Sequence, residues 1–325
     1  MNKMLAPQLV RTLDVLPAQH PRGQMHLSAT SGLVLVRAGG RWHGYSVADD
    51  EHHLGHFVLA QDAPVELLRI LPGDLPQDMK KRKRAKPDLE CLARLPAMPN
   101  YPQGALLALG SGSKEQRHTG LLMSLNAQGL LPPNVESNSK RLDLTALYAP
   151  MHDAFDDLNI EGCFLQGEYL HLLQRGNKGQ KNGVSAGSAC IALDAALFQS
   201  WLLNEAVSAP HIQRIFPLDL GDAEGIPLTP TDGLALPDGR WLLSAVAENT
   251  DSSFLDGPCT GSALVLLSAK GELLALHPLQ GSPKVEGIAL CDSGQQGEPL
   301  SVLMVTDADD PSKASQLLRV DAFWL

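Results

Sequence analysis

Short apolar runs recur along this chain in pairs, each pair split by Gly, Pro or Asp, and that rhythm predicts strands joined by hairpins. Residues 31–50 read SGLVLVRAGGRWHGYSVADD, and from Leu89 the chain reads LECLARLPAMPNYPQGALLALGSGSK. Later copies are IEGCFLQGEYLHLLQRGNKG from Ile160, TDGLALPDGRWLLSAVAENTD from Thr231, and KVEGIALCDSGQQGEPLSVLMVTDADD from Lys284 to Asp310. A further strand-like run follows most copies, as in TGLLMSLNAQG, GSALVLLSAKGELLALHPL and SQLLRVDAFWL. Four short strands per copy is the pattern of a propeller blade.

Taking Ser31, Glu90, Glu161, Asp232 and Glu286 as equivalent, the steps are 59, 71, 71 and 54 residues. A mean of about 64 residues per blade gives five blades over the 325 residues. Six is the alternative if the longer steps hide an extra hairpin. The last copy has room for three strands only, and QLVRTLDVLP near the N-terminus supplies a spare strand to complete it. Closing the ring in this way removes exposed sheet edges. The fold class predicted is therefore all-β: a single closed β-propeller spanning residues 1–325, with four-stranded antiparallel blades.

Two segments carry a helical period instead. Asp143–Leu158 places Leu144, Leu147, Tyr148, Met151 and Phe155 on one side, with Pro150 interrupting. Asp194–Glu205 places Leu197, Phe198, Trp201 and Leu202 together behind an Asp194 cap. Both are read as short helices in blade connections, packed on the propeller. Lys80–Arg84, five consecutive basic residues, is read as a solvated loop able to steer an anion. His52, His53 and His56 are read as a hairpin turn, because Gly55 spoils the helix that a paired-histidine metal site needs.

Bulk properties narrow the partners. A formal charge of −10 and a pI near 5.5 argue against general nucleic-acid binding. The first residues lack the apolar core of a signal peptide, and no apolar run is long enough to span a membrane. Five scattered cysteines have no paired metal spacing and read as reduced thiols of a cytoplasmic protein. GVSAG (Gly183–Gly187) matches a nucleophile elbow, but a glycine- and lysine-rich stretch precedes it where a strand is required. GSGSK (Gly110–Lys114) lacks the full phosphate-loop spacing.

The candidate site follows from register. In an antiparallel blade the first strand begins where the second ends, so both positions open on one face around the channel. Glu90, Glu161, Asp232 and Glu286 open first strands, and Asp307 follows a second strand. These five are the candidate ligands for Ca²⁺ or another divalent cation, because crowded carboxylates repel and a hard cation relieves them. Lys114, Arg117, Arg175, Asn177, Asn182, Glu248, Asp251, Lys284 and Asp309 fall on the same face and are candidate contacts for a small anionic molecule. Pairing of the acids with Lys114, Arg117, Arg175 or Lys284 would relieve the crowding without a metal.

The segments KPDLECLA, GALLALGSGSK, LNIEGCFL, LLQRGN, DGPCTGSA, KVEGIAL and VTDADDP resemble an uncharacterised family of bacterial cytoplasmic propellers, from about residue 85 onward. That family is similar in turn to phytase-like propellers with esterase-like activity. PTDGLALPDGRWLL also resembles a blade of the gluconolactonase-type propellers, in which Glu, Asn and Asp bind a divalent cation. That family has an Asn at the strand start where Thr231-Asp232 stands here. The resemblance leaves two functions open: a metal-assisted hydrolase of a small phosphate ester or lactone, or a non-catalytic ligand-binding or scaffold propeller. It leaves the oligomeric state open as well.

Overall fold

The computed structural model describes residues 4–176, 187–204, 206–248, 259–291, 301–307 and 309–321. Its strands assemble into five four-stranded antiparallel sheets, with one small two-stranded ribbon beside them. Blade one comprises Thr30–Ala38, Arg41–Ala48, His53–Val58 and Glu66–Arg69. Blade two comprises Leu89–Leu95, Ala105–Gly110, Thr119–Ser124 and Ser139–Asp143, and blade three Ile160–Gln166, Tyr169–Gln174, Ala189–Asp194 and Ile212–Pro217. Blade four comprises Thr229–Ala235, Trp241–Glu248, Cys259–Leu267 and Leu273–Pro278. Blade five takes Val285–Cys291, Ser301–Thr306 and Gln316–Asp321, and Gln8–Thr12 pairs antiparallel with the last of these, Gln8 opposite Arg319. The ring closes as the sequence predicts, through the N-terminal strand.

The first strands of the five blades touch one another in a circle, one to two, two to three, and so on back to one. Close packing at this waist requires glycine. Gly32 has φ +64°, and a Cβ there would lie 2.9 Å from the Leu92 backbone nitrogen.

Five apolar clusters make the core, one at each interface between neighbouring blades. This explains why the second strands read as near-continuous apolar runs. In ALLALG, Leu107 and Leu109 pack toward blade three while Leu106 and Ala108 pack toward blade one. Both faces of the sheet are buried, so alternation in polarity disappears.

Among the described residues, three short α-helices interrupt the strands. α1 (Met79–Ala85) occupies the basic run that the sequence suggested was a loop. Its apolar stripe is absent, and other interactions hold it. The Asp78 carboxylate accepts from Lys81 N at 2.9 Å, while Arg82 is 1% exposed, donating to the carbonyls of Pro76 and Asp50. α2 (Thr145–Ala154) runs through Pro150 and buries Leu147, Tyr148 and Met151 between blades two and three. α3 (Ala195–Leu203) buries Phe198 and Leu202 at the same interface, and the Asp194 carboxylate caps it by accepting from Leu197 N at 2.8 Å. Asp194→Ala is expected to lower stability by about 1 kcal/mol, measured by urea unfolding, with no change at the channel mouth.

His53 and His56 sit within the third strand of blade one rather than in a turn. None of the five cysteines is in a disulfide, and Cys91, Cys163 and Cys190 are buried. GVSAG lies outside the described residues except for Gly187. No described helix is long and apolar enough to cross a membrane.

Candidate functional site

In blades two, three and five the first strand carries a β-bulge one residue after it begins. Leu89 pairs with Gly110 and Cys91 with Leu109, so Glu90 is left without a partner across the ladder. Glu161 is skipped between Ile160 and Gly162, and Glu286 between Val285 and Gly287. A bulge re-aims the extra side chain. Each acid follows a fully buried apolar anchor: Leu89, Ile160 and Val285 are each 0% exposed. Each anchor follows a polar residue: Asp88, Asn159 and Lys284. This polar–apolar–acid triplet presents two polar side chains per blade to the channel mouth.

Blade four differs by one residue from the equivalence drawn from the sequence. Its bulge falls on Thr231, between Pro230 and Asp232. The Thr231 hydroxyl donates to the Val285 carbonyl at 2.6 Å and lies 2.9 Å from the Ser244 hydroxyl. Asp232 stands one step further along the channel. Its Oδ1 accepts from Gly233 N and its Oδ2 from Ile288 N, both at 2.8 Å, and Leu33 N also donates to it. Asp232 therefore joins blade four to blades five and one, away from the other acids. Burial pushes its pKa up to about 8 against the pull of these amides.

The remaining acids meet at the mouth in a chain of ion pairs. Arg175 Nη2 lies 2.6 Å from Glu248 Oε2 and its Nη1 3.5 Å from Glu161 Oε1, an oxygen that also accepts from the Asn159 amide. Lys284 Nζ reaches Glu248 and Glu286 at 3.2 Å each and Asp309 at 2.7 Å. Arg117 Nη1 is 2.7 Å from Asp88 Oδ2 and from Ser113 Oγ. Lys86 Nζ contacts Asp49 and lies 2.8 Å from Asp88. Asp307 shares the charge of Lys284, and burial pushes its pKa up to about 8.

Carboxylates outnumber cations here, and burial does the rest. Glu90 is driven well above the ordinary carboxylate range by desolvation, then by the neighbouring charges of Glu161, Asp88 and Asp49. Glu286 and Glu161 are raised for the same first reason, with Lys284 and Arg175 pulling the other way. Carboxylate oxygens of Asp49, Asp88 and Glu90 all lie within 4.8 Å of one another, a spacing a single metal ion can bridge. A cleft of about 290 Å³ opens beside them, between α1 and the residues Asp307, Asp309 and Pro311.

Of the residues expected at the site, the structure brings together Glu90, Glu161, Glu286, Asp307, Arg117, Arg175, Glu248, Lys284 and Asp309. Lys114 is exposed at the start of the Glu115–Arg117 turn. Asn177, Asn182 and Asp251 lie outside the described residues. Asp49 follows the second strand of blade one, on the face that register predicts, whereas Lys86, Asp88 and Asn159 are additions from the structure; the triplet spacing Asp88-Leu89-Glu90 and Asn159-Ile160-Glu161 is the readable signal for two of them.

Residues 82–311 match the model of a family of unknown function, DUF6910. Among curated proteins, none matches. The fold is similar to that of an α-L-arabinofuranosidase from Podospora anserina solved in complex with cellotriose, with 13% identity, 98% of each chain covered and a TM-score of 0.51. Looser likenesses are a glycosyl hydrolase from Bacteroides ovatus (9% identity, 98% of this chain and 91% of that one, TM-score 0.47) and an α-L-arabinanase from Cellvibrio cellulosa (11% identity, 93% of each, TM-score 0.47). At these identities the likeness is one of fold.

Proposed function

We propose that this chain, which belongs to the DUF6910 family, binds a divalent cation at Asp49, Asp88 and Glu90 and hydrolyses a small neutral ester or lactone beside it. The observation that carries this reading is the convergence of those three carboxylates within 4.8 Å at a mouth already rich in negative charge. A bound cation of this kind polarises a carbonyl oxygen and acidifies water. The chain's own residues would do the rest. Glu161, held by Asn159 and Arg175, is placed to take a proton. Arg117, Arg175 and Lys284 are each against a carboxylate, so they serve as internal counter-ions more than as an anion clamp. That favours a lactone over a phosphate ester. The resemblance to propellers with esterase-like activity supports the same choice.

The closed set of ion pairs also supports a second reading, a binding propeller without turnover. One series of measurements separates them. Ca²⁺, Mg²⁺ or Mn²⁺ is expected to stabilise the protein by about 2.7 kcal/mol at a hundredfold excess over Kd, seen as a rise in Tm. Glu90→Gln is expected to abolish that rise while leaving the metal-free Tm equal or higher. Absence of a shift with every ion overturns the cation site. A shift without hydrolysis of any lactone or ester tested leaves the binding reading.

A further inference from the structure

A second cluster, apart from the acidic mouth, brings imidazoles together. His118 follows the Glu115–Arg117 turn, and His152 lies in the last turn of α2. Their Nε2 atoms are 3.2 Å apart, and His118 Nε2 is also 3.2 Å from the Gly112 carbonyl oxygen. His152 faces that same carbonyl. Two nitrogens bound to one tetrahedral ion at about 2.0–2.1 Å lie about 3.3 Å apart, which matches the separation found.

The surroundings fix the chemistry of these atoms. The Thr145 hydroxyl bonds the Asp143 carboxylate, which only accepts, so the hydroxyl hydrogen is spent there. Thr145 Oγ1 can then only accept from His118 Nδ1, 3.4 Å away. Metal-free, the ring donates from Nε2 to the Gly112 carbonyl, which can only accept; an ion bound at Nε2 shifts that hydrogen to Nδ1, which Thr145 Oγ1 is set to receive. Such an outer contact orienting a histidine is the arrangement found behind metal ligands. The Tyr148 ring meets His118 edge-on at 5.6 Å and is itself anchored by its hydroxyl donating to Gly110 O at 2.7 Å. Gly112 holds its carbonyl in place at φ +72°, where a Cβ would come within 2.7 Å of that ring.

From this geometry we propose that His118, His152 and the Gly112 carbonyl form a site for a borderline transition-metal ion, Zn²⁺, Ni²⁺ or Cu²⁺, with water completing the coordination. Two imidazoles select such ions over Ca²⁺ or Mg²⁺. The site does not depend on the hydrolase reading, and its two side-chain donors are imidazole nitrogens where those of the mouth are carboxylate oxygens.

Calorimetric titration of the full chain with NiCl₂ tests it. The wild type is expected to bind one equivalent, and His152→Ala, at an exposed position, to weaken binding at least tenfold. His118→Ala is expected to do the same. Glu90→Gln and His56→Ala are expected to bind as the wild type does; the latter removes the other close histidine pair, His43 and His56, whose ring nitrogens are 3.0 Å apart. The electron paramagnetic resonance spectrum of the Cu²⁺ complex should show splitting from two imidazole nitrogens. Unchanged Ni²⁺ binding in both His118→Ala and His152→Ala, no uptake by the wild type, or a copper spectrum with oxygen ligands alone overturns the proposal. A proton shared between the two rings would produce those negative results.

Discussion

Arg175→Met is expected to lower stability by about 3–5 kcal/mol, the cost of leaving buried charges without their partner. Arg175 bridges Glu161 and Glu248, and its side chain is only 9% exposed. Burial opposes its charge, but Glu161 and Glu248 outweigh that and hold it protonated. Without it, Glu248 keeps Lys284, while Glu161 keeps the Asn159 amide and the more distant charge of Lys284. The deficit should depend on pH. Glu161 already has a raised pKa, and loss of the guanidinium raises it further, so the variant recovers as pH falls and the acid takes up a proton. Urea unfolding at several pH values measures this. Adding Glu161→Gln to Arg175→Met should restore part of the loss, because the two effects couple. An Arg175→Met protein as stable as the wild type at neutral pH would show that the ion-pair chain contributes nothing.

Asp232→Asn is the second large effect. The wild-type carboxylate accepts backbone hydrogen bonds from three blades, and an asparagine amide would turn an NH₂ group toward at least one of those N–H donors. A buried donor left unsatisfied costs about 1–3 kcal/mol, and here it sits at the waist where the first strands touch. The titration of Asp232 gives a signature that packing loss lacks. Its folded pKa of about 8 lies above the ordinary carboxylate value, so the folded state holds the proton more tightly than the unfolded chain. Stability from this group is complete below about pH 4 and is lost as pH rises toward about 8. The gap between wild type and Asp232→Asn should therefore narrow as pH rises through that window. Tm measured from pH 4 to 9 for both proteins checks it; parallel curves would remove Asp232 as the titrating group.

Much of the fold could be read from the apolar rhythm because every blade buries both faces. That turns strands such as ALLALG and WLLSAVAE into runs too apolar for any surface element, while Gly and Asp turns keep them short. α1 escaped notice for the opposite reason. MKKRKRA has no apolar face, and what fixes it, the Asp78 cap and the burial of Arg82, is visible only once the chain folds. The acid ring was legible in three blades through Glu90, Glu161 and Glu286. In blade four the pair Asp232-Gly233 imitates Glu161-Gly162 and Glu286-Gly287, yet the bulge falls one residue earlier. Side-chain identity alone does not reveal where a ladder skips, and a shift of one residue carries Asp232 to a different duty. Asp88 was missed because it precedes the strand, though its spacing from Glu90 repeats that of Lys284 from Glu286.

The closing strand sets an order on folding. Gln8 waits for Arg319, 311 residues later, so blade five cannot be completed until the four other blades have been made. At about 5–20 residues per second on the ribosome, the opening segment stays unclasped for roughly 15–60 seconds. Through that interval the nascent propeller is an open arc, and its last edge is sealed by a strand made before any of the other strands of the ring.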